Sequence, residues 1–221
     1  MATLALDVSP QTQLMTRHLI ASDALAVAET AAAIRRGTLV VFPTDTLYGV
    51  GTNAFDNKAL LSLYTTKNRP LEKGIPILLA DVAGLEHVAK FVPQAAQELI
   101  ERFWPGPLTL IVPKKRSLPP SLSPNQGIAV RIPDNDIARA VIRAAGGAVA
   151  TSSANRSGQE PAQTADQALA QLGGLVTIVL DGGPTGQSTP STIIDCTGER
   201  LRILRQGPLG ARLKLYNKSI E

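Results

Sequence analysis

The stretch Gly37–Gly51, GTLVVFPTDTLYGVG, constrains the fold more than any other part of the chain. Thr38-Leu39-Val40-Val41-Phe42 is apolar or β-branched without alternation, the pattern of a strand buried on both faces. Pro43 brings no ladder donor, so the strand is expected to end there. Thr44-Asp45-Thr46-Leu47-Tyr48-Gly49 is then a polar cluster delivered from the end of a core strand, where open α/β sheets place ligands. On this stretch alone, an Asp/Thr-rich turn without a ligand remains the duller alternative.

The 221 residues suffice for a substantial core, and 44% hydrophobic against 18% charged residues excludes a disordered chain. An excess of four basic residues favours anionic partners such as phosphates, nucleotides or RNA, without choosing among them. A single cysteine, Cys196, excludes an internal disulfide and a cysteine-built zinc cluster. His18 and His87 lie far apart, so a histidine metal site is not expected. No apolar run approaches the roughly 18 residues of a membrane span. The N-terminus carries neither a basic n-region nor an apolar h-region. A cytoplasmic protein with no membrane partner is the expectation.

Residues 1–18 have no sustained period and are read as a flexible arm. Ser22-Asp23 starts a helix that Gly37 stops, and Asp56 N-caps a second that ends near Lys67. Ile75–Ala80 reads as a strand, demoted toward an edge by Pro76. Asp81 is expected to cap a further helix, and Pro93 to open the next, through Phe103. A strand over Leu108–Val112 comes after it. The Pro/Ser-rich 117–125 segment is expected to be the least structured internal loop, free to move over a site. In Gly127–Ile132, Ile128, Val130 and Ile132 share one face while Ala129 and Arg131 share the other. A helix over 136–145, a strand from Ala148 toward Asn155, and a helix over 164–172 with a Thr164/Gln167 capping box come next. Leu175–Leu180, Thr192–Cys196 and Leu201–Leu204 are three further strand candidates. The pattern predicts one α/β domain over 19–207, a twisted mixed sheet flanked by helices, with a tail over 208–221.

The motifs for chemistry are individually weak. Gly49-Val50-Gly51-Thr52-Asn53-Ala54 fits a dinucleotide fingerprint but opens no helix, and Gly182-Gly183-Pro184-Thr185-Gly186 lacks the Lys-Ser/Thr of a P-loop. In Lys67-Asn68-Arg69-Pro70, the proline pushes Arg69 to extended geometry. With Asn68 extended as well, Lys67 and Arg69 project the same way, a two-cation clamp for a phosphate or carboxylate with Lys73 close behind. Cations capping a helix C-terminus are the equally open alternative. Thr151, Ser153 and Asn155 share one extended face, again at the end of a core strand, and Ser191 is a weaker signal of the same kind. Arg205 shares strand parity with Leu201 and Ile203, so pattern does not nominate it, and Trp104 reads as packing. No Ser-His-Asp or Cys-His set assembles. Threonines, serines, an asparagine and cations suit charge stabilisation and positioning, as in nucleotidyl or phosphoryl chemistry or an anion-binding module.

Taken in order, PTDTLYGVG (43–51), KNRP (67–70), WPGPLT (104–109), AVRIP (129–133), TSSANRSG (151–158), STIID (191–195) and ILRQG (203–207) resemble the YrdC-like family across about residues 22–207. The resemblance implies a twisted mixed sheet around a deep, positively charged cavity. It implies threonylcarbamoyl-AMP synthesis: a nucleotidyltransferase making threonylcarbamoyl-AMP and pyrophosphate from L-threonine, bicarbonate or CO2, and ATP with Mg2+, for tRNA N6-threonylcarbamoyladenosine. The tRNA threonylcarbamoyl-transferase machinery is the implied protein partner. Carried over by position, Thr46, Arg131, Thr151 and Ser191 hold threonine. Arg69, Lys73, Ser153, Asn155 and Arg205 contact the nucleotide, and Lys67 and Arg69 are the catalytic cations. Some members close the pocket with a second domain. Only 14 residues come after Gly207 here, so closure is expected from the 117–125 loop or a mobile tail. A non-catalytic RNA-binding protein using the same basic cavity is the alternative, against which stands an aromatic content of 4%.

Overall fold

The computed structural model describes residues 15–186, 189–210 and 212–213. The chain runs β1 (Arg17–Ile20), α1 (Ala24–Arg35), β2 (Val40–Phe42), β3 (Gly49–Asn53), α2 (Asn57–Lys67) and β4 (Ile77–Leu79). It continues through α3 (Leu85–Val88), α4 (Gln94–Phe103), β5 (Leu108–Pro113), β6 (Gly127–Arg131), α5 (Asp136–Ala144) and β7 (Ala148–Ser153). The last elements are α6 (Ala165–Leu172), β8 (Ile178–Asp181), β9 (Thr192–Asp195) and β10 (Arg202–Arg205).

All ten strands form one mixed sheet in the order β1-β8-β2-β3-β7-β4-β6-β5-β9-β10. Its parallel pairs are β1/β8, β2/β8, β4/β6 and β5/β9, and the other neighbours are antiparallel. One face carries the larger apolar core, with Tyr48, Leu60, Leu63, Leu99, Leu110 and Val130 among its buried residues. Among the described residues, the opposite face is covered on one half only. There Ala33 and Ile34 of α1 and Ala138, Val141 and Ile142 of α5 pack over Val40, Phe42, Val149, Ile178 and Leu180.

Local chemistry explains several boundaries. Asp23 accepts a hydrogen bond from the Leu25 amide, and Asp56 accepts from Lys58 and Ala59, so both act as the expected N-caps. The Thr164 hydroxyl accepts from the Gln167 amide, while the Gln167 side chain reaches back to the Gln163 amide, one residue beyond the expected box. Trp104 is packing, as expected, its indole donating to the Leu108 carbonyl at 2.7 Å.

Other expectations are corrected. Arg17 and His18, read as part of a loose arm, lie in β1. This strand is edge-placed with mostly exposed side chains, so its pairing with β8 comes from backbone and leaves no apolar pattern; residues 1–14 of the arm lie outside the described residues. β4 is central rather than an edge. Pro76 stands just before it, where its missing donor costs nothing, and its carbonyl accepts from the Thr151 amide at 2.8 Å. Asp81 makes no side-chain cap, and a 3-10 turn over Val82–Gly84 leads directly into the single-turn α3. The 117–125 segment is fastened rather than loose: Tyr64 donates to the Ser121 carbonyl, the Ile75 amide to Leu122, and Lys114 to Ser123. The described part of the tail is packed too, with Leu209 and Leu213 buried in the larger core. Each such leucine contributes on the order of 1.5–3 kcal/mol.

Candidate active site on the open half of the sheet

Where no helix covers the second face, alternate side chains of β5, β6, β7 and β9 meet open space. Strand parity decides which. Leu108, Leu110 and Val112 of β5 enter the core, leaving Thr109, Ile111 and Pro113 for the other side. Val130 of β6 is core while Ala129 and Arg131 face outward, as the alternation predicts, and Ile194 of β9 is core while Ile193 and Asp195 face outward. These residues form the floor of a cleft of about 710 Å³, walled by Thr44, Thr46–Gly49, Arg69, Leu122–Gln126, Thr151–Ser153 and the Leu204-Arg205 pair.

The turn after β2 builds one wall. The Thr44 hydroxyl accepts from the Thr46 and Leu47 amides and donates to the Leu47 carbonyl at 2.6 Å, closing a tight Ser/Thr-type turn. Asp45 and Thr46 at its tip meet Arg131. The Arg131 guanidinium donates from Nη2 to Asp45 Oδ1, from Nη1 to Thr46 Oγ1 at 3.0 Å, and from Nε to the Gly106 carbonyl at 2.9 Å. Arg131 thus pairs with a carboxylate of the chain's own, through one oxygen only. Burial pulls its guanidinium down, and Asp45 opposes that shift.

Thr151 sits opposite Gly51 in the β3/β7 ladder. A Cβ at Gly49 would come within 2.6 Å of the Thr151 Cγ2, so the GVG of β3 makes room for this threonine. Beyond β7, Ser153 Oγ donates to Asn155 Oδ1 at 2.5 Å, and the Asn155 amide nitrogen donates to the Arg156 and Gln159 carbonyls. Lys67 inserts beneath this turn, its ammonium donating to the Ser153 carbonyl and, at 3.2 Å, to Asn155 Oδ1.

The two-cation clamp is corrected in its geometry. Asn68 is left-handed (φ 50°, ψ 49°) as the C-cap of α2, not extended. The chain turns there, so Lys67 stays on the buried face of the helix while Arg69 emerges into the cleft wall, its guanidinium donating to the Lys73 and Gly74 carbonyls. The two heads still feel one another. Burial, and then Arg69, push the Lys67 ammonium down to about 7.

Arg205 enters by a device the pattern does not reveal. The β9/β10 register shifts between Ile203 and Arg205, so Leu204 and Arg205 together oppose Ile193. This β-bulge reverses the parity of the last residue, and Arg205 joins the cleft face of Ile193 instead of the face of Ile203. Its Nε donates to the Ser191 carbonyl at 2.9 Å and its Nη2 to the Ser191 hydroxyl, which in turn meets Thr109 at 2.7 Å. Burial and the neighbouring Arg131 both pull its guanidinium down.

Of the residues that the sequence nominates, Thr46, Arg69, Arg131, Thr151, Ser153, Ser191 and Arg205 line the cleft together. Lys67 and Asn155 lie just behind Ser153, outside the lining, and Lys73 is exposed beside it, contributing its backbone carbonyl. Asp45, Thr109 and Asp195 join the site without such a nomination. Parity separates Thr109 from Leu108 and Leu110, and Asp195 from Ile194, so both are within reach of the alternation that marks Arg131. Asp45 has no signal beyond its place in the polar cluster. Among the described residues, no cluster of three His, Cys, Asp or Glu has metal-binding spacing, and no helix is long and apolar enough to cross a membrane.

Comparison with known proteins identifies the family of the chain. The Sua5/YciO/YrdC family model, described as "Telomere recombination", matches residues 32–207. A threonylcarbamoyl-AMP synthase of Bacillus subtilis (strain 168) is 38% identical over 186 residues, covering 82% of this chain and 53% of that protein. A putative threonylcarbamoyl-AMP synthase of Mycobacterium tuberculosis (strain ATCC 25618 / H37Rv) is 42% identical over 178 residues, covering 80% of this chain and 82% of that one. The chain thus spans about half the length of the first relative and four-fifths of the second. The crystal structure of P. abyssi Sua5 complexed with L-threonine superposes with a TM-score of 0.87 at 34% identity, over 93% of this chain and 63% of that one. E. coli YciO shares the fold, with a TM-score of 0.78 at 24% identity. With the family model matching most of its length, the chain belongs to the Sua5/YciO/YrdC family.

Proposed function

We propose that the chain is a nucleotidyltransferase that forms threonylcarbamoyl-AMP and pyrophosphate from L-threonine, bicarbonate or CO2, and ATP, for tRNA modification. The observation that carries this is the set of three arginines, Arg69, Arg131 and Arg205, lining one cleft with Lys67 beneath its wall, against one paired acid, Asp45, and one cleft-lining acid, Asp195, among the described residues. Mutually repelling, partly desolvated cations suit a ligand that carries several negative charges. The relatives named as threonylcarbamoyl-AMP synthases, and the Sua5 structure with L-threonine, support the substrate assignment. They do not favour the RNA-binding alternative.

In this reading the threonine carboxylate meets Arg131, with Thr46, Thr151 and Ser191 around it, and its amine captures CO2 as a carbamate. A carbamate oxygen attacks the α-phosphorus of ATP, the bond to the bridging oxygen breaks, and pyrophosphate leaves. Arg69, Ser153 and Arg205 hold phosphate oxygens at the cleft wall. Lys67, with Asn155, acts from beneath Ser153, its charge offsetting what builds up on the phosphates, and Lys73 reaches the nucleotide from outside the lining. Mg2+ arrives with the ATP and neutralises phosphate charge. With Asp195 as the one acid of the lining, triphosphate oxygens and water supply most of its ligands. Hand-over of the labile product to the tRNA threonylcarbamoyl-transferase machinery, in the cytoplasm, completes the proposal.

The test is pyrophosphate release from MgATP by the purified chain, with each co-substrate omitted in turn. Release that requires both L-threonine and bicarbonate is expected. A folded protein that releases none, or that releases it equally without threonine, contradicts the proposal.

A further inference from the structure

The buried ion pair behind the cleft contains an asymmetry. Asp45 Oδ1 accepts from Arg131 Nη2, but Asp45 Oδ2 is buried and has no donor among the described residues. The Asp45 side chain is 11% exposed, the Arg131 side chain 7%. Hydrogen bonding alone does not require an aspartate here: an asparagine offers the same single acceptor to Nη2 and leaves no charged oxygen desolvated. What an aspartate adds is its charge. That charge opposes the effect of burial on Arg131, which also faces repulsion from Arg205.

The three donations of Arg131, to Asp45, Thr46 and Gly106, fix the plane of its guanidinium. Of its five N–H groups, one on each terminal nitrogen is left without a partner among the described residues. Since Arg131 lines the cleft, these two N–H groups are the donors it keeps for a carboxylate bound there. We propose that Asp45 is a positioning residue, locking the Arg131 guanidinium in the orientation that receives the substrate carboxylate. The Thr44-centred turn is what presents Asp45 to it. The identity of that carboxylate, L-threonine's, rests on the synthase reading; the lock itself does not.

Two measurements on the full chain separate them. In the first, calorimetric titration compares L-threonine with threoninol, in which a hydroxymethyl group replaces the carboxylate. Asp45→Asn is expected to weaken L-threonine binding ten-fold or more and to leave threoninol within two-fold. Equal weakening of both, or L-threonine binding as tight as or tighter than wild type, overturns the proposal, because Asp45 would then be merely structural or merely masking Arg131. Asp45→Glu, which keeps the charge, is expected to recover part of the L-threonine affinity. Should the asparagine variant fail to fold, the glutamate variant is held to the same criterion of selective loss. The second measurement needs no ligand: the Arg131 Nε–H resonance, assigned by its loss in Arg131→Lys, is expected to be sharp in wild type and broadened or exchanged away in Asp45→Asn. An unchanged resonance overturns the lock. If wild type binds neither ligand, the synthase reading fails, and the resonance alone decides the role of Asp45.

Discussion

The two halves of the sheet's second face share one backbone and one alternation, yet differ in what covers them. Over β8, β2 and β7, the helices α1 and α5 bury Phe42, Val149, Ile178 and Leu180. Over β6, β5 and β9 the same parity exposes Thr109, Arg131 and Asp195 to a cleft. Burial on the covered half converts side-chain area into stability. The open half spends stability instead, holding the Arg131 charge almost fully buried. The proposed function uses the half where no helix among the described residues covers the sheet and the strand alternation delivers polar groups to the gap.

The largest expected effect breaks the covered half. Phe42→Ala should cost about 3–5 kcal/mol of unfolding free energy, read by urea denaturation, since it opens a fully buried site. Activity per folded molecule should stay near wild type. Next, on the open half, Arg205→Gln should lower turnover on the order of 10²-fold, the scale of losing one charge-stabilising group. Its denaturation midpoint should hardly move, because Arg205 is exposed and bonded to Ser191, with no acid partner among the described residues. Smaller again, Gly49→Ala overpacks the wall against Thr151 and should cost about 1–3 kcal/mol. It should also raise KM for L-threonine, which separates it from an ordinary core strain.

The smallest effect is a pH dependence. Burial lowers the Lys67 ammonium to about 7 in the folded chain, below its ordinary value of about 10.4. Between those values the unfolded chain binds the extra proton, so the Lys67 contribution to stability rises with pH from about 7 and its cost is fully present below. Wild type should therefore gain unfolding free energy from pH 7 toward pH 9 relative to Lys67→Met. On the proposed role, in which its charge offsets phosphate charge from beneath Ser153, ATP affinity should fall over the same interval as the ammonium loses its proton.

How much of this is legible in the sequence divides along the same line. The covered half can be read directly, because Val40 to Phe42 form an unbroken apolar run and Asp23 carries cap chemistry for α1. Arg131 is legible as the odd charge on an alternating strand. Arg205 is not, since a bulge that reverses parity leaves no trace in the hydrophobic pattern. The expected Lys67/Arg69 geometry fails on Asn68, whose left-handed cap overrides the extended bias of a pre-proline segment. The β1 edge is hidden because a strand held by backbone pairing with exposed side chains needs no period.

The most direct test of the claim that the open half is the synthase site is threonine- and bicarbonate-dependent pyrophosphate release in three matched variants: Lys67→Ala and Arg69→Ala at the cleft, and Val149→Ala on the covered half. The account predicts that release collapses in the first two while Val149→Ala, corrected for its folded fraction, keeps it. Retained release in both cation variants, or equal loss in all three after that correction, would contradict it.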